Sequence, residues 1–481
     1  MRVLALATVL VILLAGCSKP AVTDTSSQPA PSSAANPSGL SVQSGNQTKP
    51  LPAAFGGGYT TAWNNTGYHG AEPNIGITPK GNVFVTANNH VVRSMDKGAS
   101  WKTVTDPTGS PTSLDPMLWV DSLTGRIFSN QLNVACAWLS WSDDEGDSWK
   151  PSPVSCGLPG IDHQKFASGP WSDSSPLKPL ASANPLYANH VSYCYNKIGG
   201  TFCAISADGG IHFEADNLVD LAPQASAVAT DRSCGGINGH QKYGPDGTIY
   251  VPYGLNCHLA FVATSTDSGA TWAIHRIGFP QMEADPSITI TPDGTAYYMW
   301  RGDDQHMHMV RSNDKFATFD GPWDITPPEV TTTMFAAITS GSDGRIAWTF
   351  LGDKMAYNGT HPPTPTDTSD KARWHLFAGM SLDAEAAEPT FVIQQVTPNS
   401  DPVQVGPIWE GGGSDPSRNL LDFIDMHTGP DGRWWIAFTD GCTNDGCKAD
   451  DALPTQSRDD MTSVAWLKDG PSLFADKPRL T

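Results

Sequence analysis

Carboxylates and histidines recur in this chain where a run of strand-forming residues is about to begin. They are Glu72 before Pro73, Asp115 before Pro116, Asp162 with His163, His240 after Gly239, Asp285 before Pro286, and Asp422 with Asp425. Two histidines among four or more carboxylates can hold a divalent cation such as Ca2+, or present a general acid and base to a sugar. The plainer reading is that each acid accepts backbone N–H groups where its strand starts. Arg232, Arg301 and Arg418 form a second set. A guanidinium engages a carboxylate through paired hydrogen bonds, although Asp303, Asp304 or Asp415 would serve as ordinary surface partners. No cysteine pair has a second pair at zinc-site spacing, so the sequence assigns no metal ligand set.

Such scattered residues act together only if the fold gathers them, and two alternating repeats supply the means. The first, Ser-x-Asp-x-Gly-x-x-Trp/Phe, occupies 94–101, 142–149, 206–213 and 265–272, with a worn copy at 312–319 that lacks the glycine. It suits a tight turn between antiparallel strands. The carboxylate of Asp96, Asp144, Asp208 or Asp267 accepts N–H bonds inside the turn, the glycine takes positive φ, and the aromatic enters the core. Those four aspartates are therefore read as structural. The second repeat is a glycine hairpin at Gly81, Gly125, Gly247, Gly294, Gly344 and Gly432, each followed by strand formers.

Their alternation spells strand A, glycine hairpin, strand B, loop, strand C, Ser-x-Asp turn, strand D. Units begin near Glu72, Asp115, Asp162, His240, Asp285, Met334 and Asn419. The third carries an insertion around 171–185, and the sixth and seventh lack a clear Ser-x-Asp turn. Hairpins and Ser-x-Asp turns fall at one end of each unit. The acids and histidines fall at the other, where strand A begins, and a ligand is expected there.

The first repeat resembles the Asp boxes of the sialidase (BNR-repeat) superfamily, and the resemblance covers about residues 60–475. It implies an all-β fold, a single β-propeller of four-stranded antiparallel blades, with seven blades favoured and six the alternative. For activity it implies a glycoside hydrolase of exo-sialidase type, in which Arg232, Arg301 and Arg418 would converge on a substrate carboxylate. The Arg-Ile-Pro strand that supplies the first arginine of such enzymes is absent. Tyr243 and Glu283 lie near units four and five, but spacing does not pair them as nucleophile and base.

The N-terminus gives the address. Arg2 precedes an apolar run from Val3 to Ala15 that ends at Gly16 and Cys17, the pattern of a lipoprotein signal peptide over 1–16 with lipid on Cys17. Residues 17–50 are rich in Ser, Pro and Ala and read as a disordered tether, leaving 51–481 for the propeller. The chain is thus expected in the cell envelope, lipid-anchored on the extracytoplasmic side of a bacterial membrane. Eight of nine cysteines then remain for disulfides in an oxidising compartment. Short loops favour Cys136 with Cys156, Cys194 with Cys203, Cys234 with Cys257, and Cys442 with Cys447.

The net charge of −20, from 29 Lys+Arg against 49 Asp+Glu, disfavours nucleic acid as a partner. Sixteen tryptophans suit sugar stacking, yet several sit in the repeats as core residues. A monomer is expected that binds a glycan or another surface ligand at the channel mouth. A glycoside hydrolase is the alternative, and a scaffold binding protein through its rim loops is the third reading.

Overall fold

The computed structural model describes residues 41–44, 47–48, 51–106, 115–133, 136–156, 162–176, 178–181, 187–197, 200–221, 237–254, 258–281, 285–359 and 361–481. Over these the chain forms seven antiparallel sheets, six of four strands and one of seven, and each contains four strands in A-B-C-D order. The A strands are Ile75–Ile77, Pro116–Val120, Asp162–Gly169, Lys242–Tyr243, Ser287–Ile290, Thr332–Ser340 and Asp425–Thr428, in blades 1 to 7. Both faces of each sheet are covered by the neighbouring sheets, which is why strands such as Val83–Ala87 are buried at every position.

Seven apolar clusters fill the gaps between successive blades. Phe84 and Leu118 meet between blades 1 and 2, Phe128 and Tyr193 between 2 and 3, and Ile205 and Phe261 between 3 and 4. Tyr250 and Tyr298 meet between 4 and 5, Met309 and Trp348 between 5 and 6, and Trp374 and Trp434 between 6 and 7. Val85 and Trp435 join blades 7 and 1. The ring is therefore closed, and the fold is a seven-bladed β-propeller.

Closure uses a strand taken from far away in sequence. Strand D of blade 7 is Thr60–His69, which pairs with Met461–Asp469, for example Trp63 opposite Ala465. The missing Ser-x-Asp turn of the seventh unit has this cause, because no local C-to-D connection exists there. Ser41–Ser44 and Gln47–Thr48, within the stretch read as tether, form strands on the outer edge of blade 6, where Ser41 faces Ile393. Main-chain pairing needs no apolar side chains, so composition did not reveal it. Residues 1–40, with Cys17, lie outside the described residues.

The Ser-x-Asp turns share one set of bonds. In blade 2, Ser142 Oγ donates to Asp144 Oδ1 at 2.8 Å, Ser148 N donates to the same oxygen at 2.8 Å, and Gly146 N donates to Ser142 Oγ at 2.9 Å. Asp96, Asp208 and Asp267 accept the matching bonds. The worn copy keeps them without glycine, with Phe316 itself at φ 65°. Blade 6 holds an expanded version that the sequence did not reveal: Asp383 accepts from Ser381 and, seven residues on, from Thr390. In the glycine hairpins, Gly247 is required on two counts, a φ of 80° and a Cβ position only 2.4 Å from Ser172 N.

Disulfides join Cys194 to Cys203 and Cys442 to Cys447. Cys136 and Cys156 face each other in strand register in blade 2. Cys234 and Cys257 lie outside the described residues.

Candidate functional site at the channel mouth

Hairpins and Ser-x-Asp turns occupy one end of the ring, where Lys80 of a blade 1 hairpin lies 3.4 Å from Glu145 in the blade 2 turn. The A strands start at the other end, and six of the seven A-strand entries, all but that of blade 6, bring an acid or histidine to the channel. Asp115 Oδ2 and Asp162 Oδ1 both accept the N–H of His163, at 3.2 and 3.1 Å. His163 Nδ1 lies 3.1 Å from Asp285 Oδ1 and its Nε2 lies 3.9 Å from Asp422 Oδ2. The first contact is an ion pair by distance rather than an aligned hydrogen bond, for Nδ1 has no hydrogen-bond partner. His240 sits deeper and its Nε2 bonds Asn74 Oδ1 at 2.9 Å, linking blade 4 to blade 1 across the channel. The structure thus brings Asp115, Asp162, His163, His240, Asp285 and Asp422 together.

Part of this set serves the architecture. Asp115 and Asp425 each spend an oxygen on the N–H of a neighbouring blade, His163 and Ile75 respectively. Asn74 and Gln164 donate to the carbonyls of Pro116 and Asp115 in the same manner. Asp162 and Glu72 also accept backbone N–H groups, of His163 and Asp422, so the plainer reading describes four of these acids, and Glu72, Asp162 and Asp422 stand at the mouth.

The sequence reading missed two cations in the channel wall. Lys165 is 1% exposed, lies 3.5 Å from Asp285 Oδ2 and rests on the Phe423 ring at 3.4 Å. Lys242 Nζ lies 3.5 Å from His427 Nε2 and 4.8 Å from the Trp119 ring. A signal existed. His163/Lys165, His240/Lys242 and Asp425/His427 are each two residues apart on or just before A strands, and a period of two puts both members on the channel side. By the same rule Tyr243 points away from the channel. Its hydroxyl lies 3.3 Å from His190 Nδ1 between blades 3 and 4, so it is no channel nucleophile.

Protonation sorts these groups into three kinds. Burial opposes charge on His163, but Asp285 with Asp162 overrides it and lifts the pKa to about 10, so His163 is a cation. Asp285 is held below the ordinary carboxylate range, since His163 and Lys165 outweigh its burial. His240 and His427 are pushed down to about 3 and 4, mainly by burial, and are neutral. Burial and the neighbouring acids push Asp115 up to about 7 and raise Glu72 well above its usual range. The mouth therefore holds two carboxyl groups poised to keep or release a proton beside a fixed ion pair, a separation that suits acid–base work or proton-coupled binding. Backbone strain lies here too, with Glu72, His163 and Leu421 at φ 54°, 48° and 58°.

The arginine set is not brought to one place. The Arg301 side chain is wholly buried, its Nη2 paired with Glu410 and its Nη1 donating to Thr333 O at 3.3 Å. A guanidinium so spent does not reach a ligand. Arg418 stands at the mouth and pairs with Asp422, the acid one helical turn's spacing beyond it, rather than with Asp415. Arg232 and Glu283 lie outside the described residues.

Among the described residues no three mouth acids or histidines bring ligand atoms within 4.8 Å of one another. Among the described residues only His69, Asp459 and Asp460 place three ligand atoms within 4.8 Å of one another, on the rim beside blade 7. At the mouth, built-in cations supply the positive charge instead.

Fold and site together define a β-propeller with a charged, side-chain-bridged channel. No protein-family model and no curated protein matches the chain. Solved structures align loosely. The intramolecular trans-sialidase from Ruminococcus gnavus, solved with oseltamivir carboxylate, is 13% identical over 87% of this chain and 96% of its own, with TM-score 0.41. The NanB sialidase from Streptococcus pneumoniae is 10% identical over 81% and 84%, with TM-score 0.43. The Aleuria aurantia lectin, solved with Fucalpha1-6GlcNAc, is 10% identical over 68% and 95%, with TM-score 0.40. Alignments this loose place no functional residue; the propeller rests on the chain's own seven sheets.

Proposed function

We propose that this propeller binds a glycan at its channel mouth, held outside the cytoplasmic membrane by lipid on Cys17. The observation that carries the reading is the convergence of Glu72, Asp162, His163 and Asp422, from three separate segments, at the end of the ring not occupied by tight turns. Carboxylates and an imidazolium offer the directional acceptors and donors that sugar hydroxyls require. The bridges below, His240 to Asn74 and Lys242 to His427, give such a ligand a floor.

A thermal-unfolding screen of the full chain in detergent against a glycan panel tests this, because a ligand at 100 times its Kd stabilises the native state by about 2.7 kcal/mol. A raised midpoint with one glycan class supports the reading, and no shift across the panel moves the assignment to protein binding through the rim loops. A midpoint that falls with a chelator would instead indicate a bound divalent cation. Glycoside hydrolysis is the second reading, favoured by the raised Glu72 and Asp115 carboxyls beside ionised Asp285. Turnover of any glycan that binds decides it.

A further inference from the structure

Among the described residues the mouth contains one buried acid, Glu72, whose carboxylate makes no ion pair with a cation. Glu72 is 2% exposed. Its Oε1 accepts the N–H of Asp422 at 3.2 Å, and its Oε2, buried as well, has no hydrogen-bond partner. The acidic side chains acting on it are Asp115 and Asp422. Cations stand nearby, but each is committed elsewhere: His163 and Lys165 to Asp285, at 3.1 and 3.5 Å, and Arg418 to Asp422. A buried carboxyl facing two further carboxyls is costly unless a proton or an external cation intervenes.

Two kinds of cation could fill that role. A metal ion holds its oxygens at about 2.3–2.6 Å, which requires three of them within about 5 Å of one another. The mouth acids do not meet that condition, as only the separate His69 group does among the described residues. An ammonium group bonds at about 2.8 Å through three divergent N–H donors and so spans a wider set of acceptors.

Taking the channel mouth as the glycan site, we propose that it is built for the primary ammonium group of an amino sugar with a free amine, and that Glu72 is the principal acceptor. The unliganded site keeps a proton on Glu72, consistent with its raised pKa. On binding, that proton leaves to solvent, the carboxylate forms, and the ammonium N–H donors take its two oxygens and those of Asp115 or Asp422. Charge balances: one cation enters and one proton departs.

Titration calorimetry of the full chain in detergent at pH 7 tests this with three probes: a glucosamine trisaccharide, its fully N-acetylated counterpart, and butylamine. The trisaccharide with free amines is expected to bind at least tenfold more tightly than the acetylated one. About one proton is expected to be released, read from the heats in two buffers of different ionisation enthalpy. Glu72→Gln is expected to abolish both the preference and the release. Asp115→Asn, which keeps the acceptor for His163 N–H, is expected to reduce the preference if the Glu72 variant does not fold. Equal binding of the two trisaccharides, or binding without proton release, overturns the ammonium proposal and leaves the glycan reading standing. Butylamine binding as tightly as the amino sugar keeps the ammonium site and overturns the glycan reading. No heat from any probe overturns the proposal.

Discussion

His163 Nδ1 lies 3.1 Å from Asp285 Oδ1, and this contact ties blade 3 to blade 5 at the head of the channel. Lys165 shares the same carboxylate. Asp285→Asn therefore leaves two buried cations without counter-charge, and a loss of about 3–5 kcal/mol in urea unfolding is expected. Adding His163→Gln should recover part of it; full additivity of the two substitutions would show that the pair is not coupled.

The pair also sets a pH window. His163 has a folded pKa of about 10 against 6.5 ordinarily, so its stabilisation is whole below pH 6.5 and is lost as pH rises through 10. Asp285 is depressed, so its share is present above about pH 4 and lost on acidification. Wild type should exceed the double variant in stability by most between about pH 4 and 6.5. A difference independent of pH from 4 to 10 contradicts the assignment.

Glu72 has the opposite sign. A carboxyl whose folded pKa is raised favours the native state at low pH, and its contribution is lost as pH rises. Glu72→Gln should leave the unfolding midpoint unchanged near pH 4.5 and raise it at pH 8, by roughly 1 kcal/mol or more. A lower midpoint at pH 8 would mean that Glu72 carries a stabilising charge.

Ring closure depends on Thr60–His69 pairing with Met461–Asp469. Trp63, buried against Phe438, anchors that strand. Trp63→Ala should cost about 3–5 kcal/mol. Deleting the chain through residue 69 exposes the Met461–Asp469 edge, and aggregation by light scattering is expected. Deletion through residue 40 spares the closure and the Ser41–Ser44 strand on blade 6 and should leave light scattering unchanged.

Phe316 occupies the left-handed turn position that glycine fills in the other Ser-x-Asp turns. Phe316→Gly relieves about 1–2 kcal/mol of backbone strain but empties a buried aromatic site between Tyr250 and Tyr298, worth about 3–5 kcal/mol. Packing wins, and a net loss of about 2 kcal/mol is expected from chemical unfolding.

Blades were legible because each carries its own short-range turn chemistry: Asp144 caps its turn whichever neighbours surround the blade. The strand-start acids were legible for the same reason, since unit boundaries located them. Long-range pairing was not. Nothing local ties Trp63 to Ala465, although the missing turn of the seventh unit marked a strand supplied from elsewhere. The Arg301–Glu410 pair was hidden too, for 109 residues separate its members. Lys165 and Lys242 were readable from the period of two on their strands, a step that unit boundaries alone did not supply.

The most direct test is the site dependence of ligand stabilisation. With a glycan that raises the wild-type unfolding midpoint, Asp162→Asn combined with Asp422→Asn at the mouth should abolish the shift. Asp246→Asn on the opposite, hairpin face should retain it. A shift that survives the mouth substitutions and disappears with Asp246→Asn would place binding on the wrong end of the propeller and contradict the assignment.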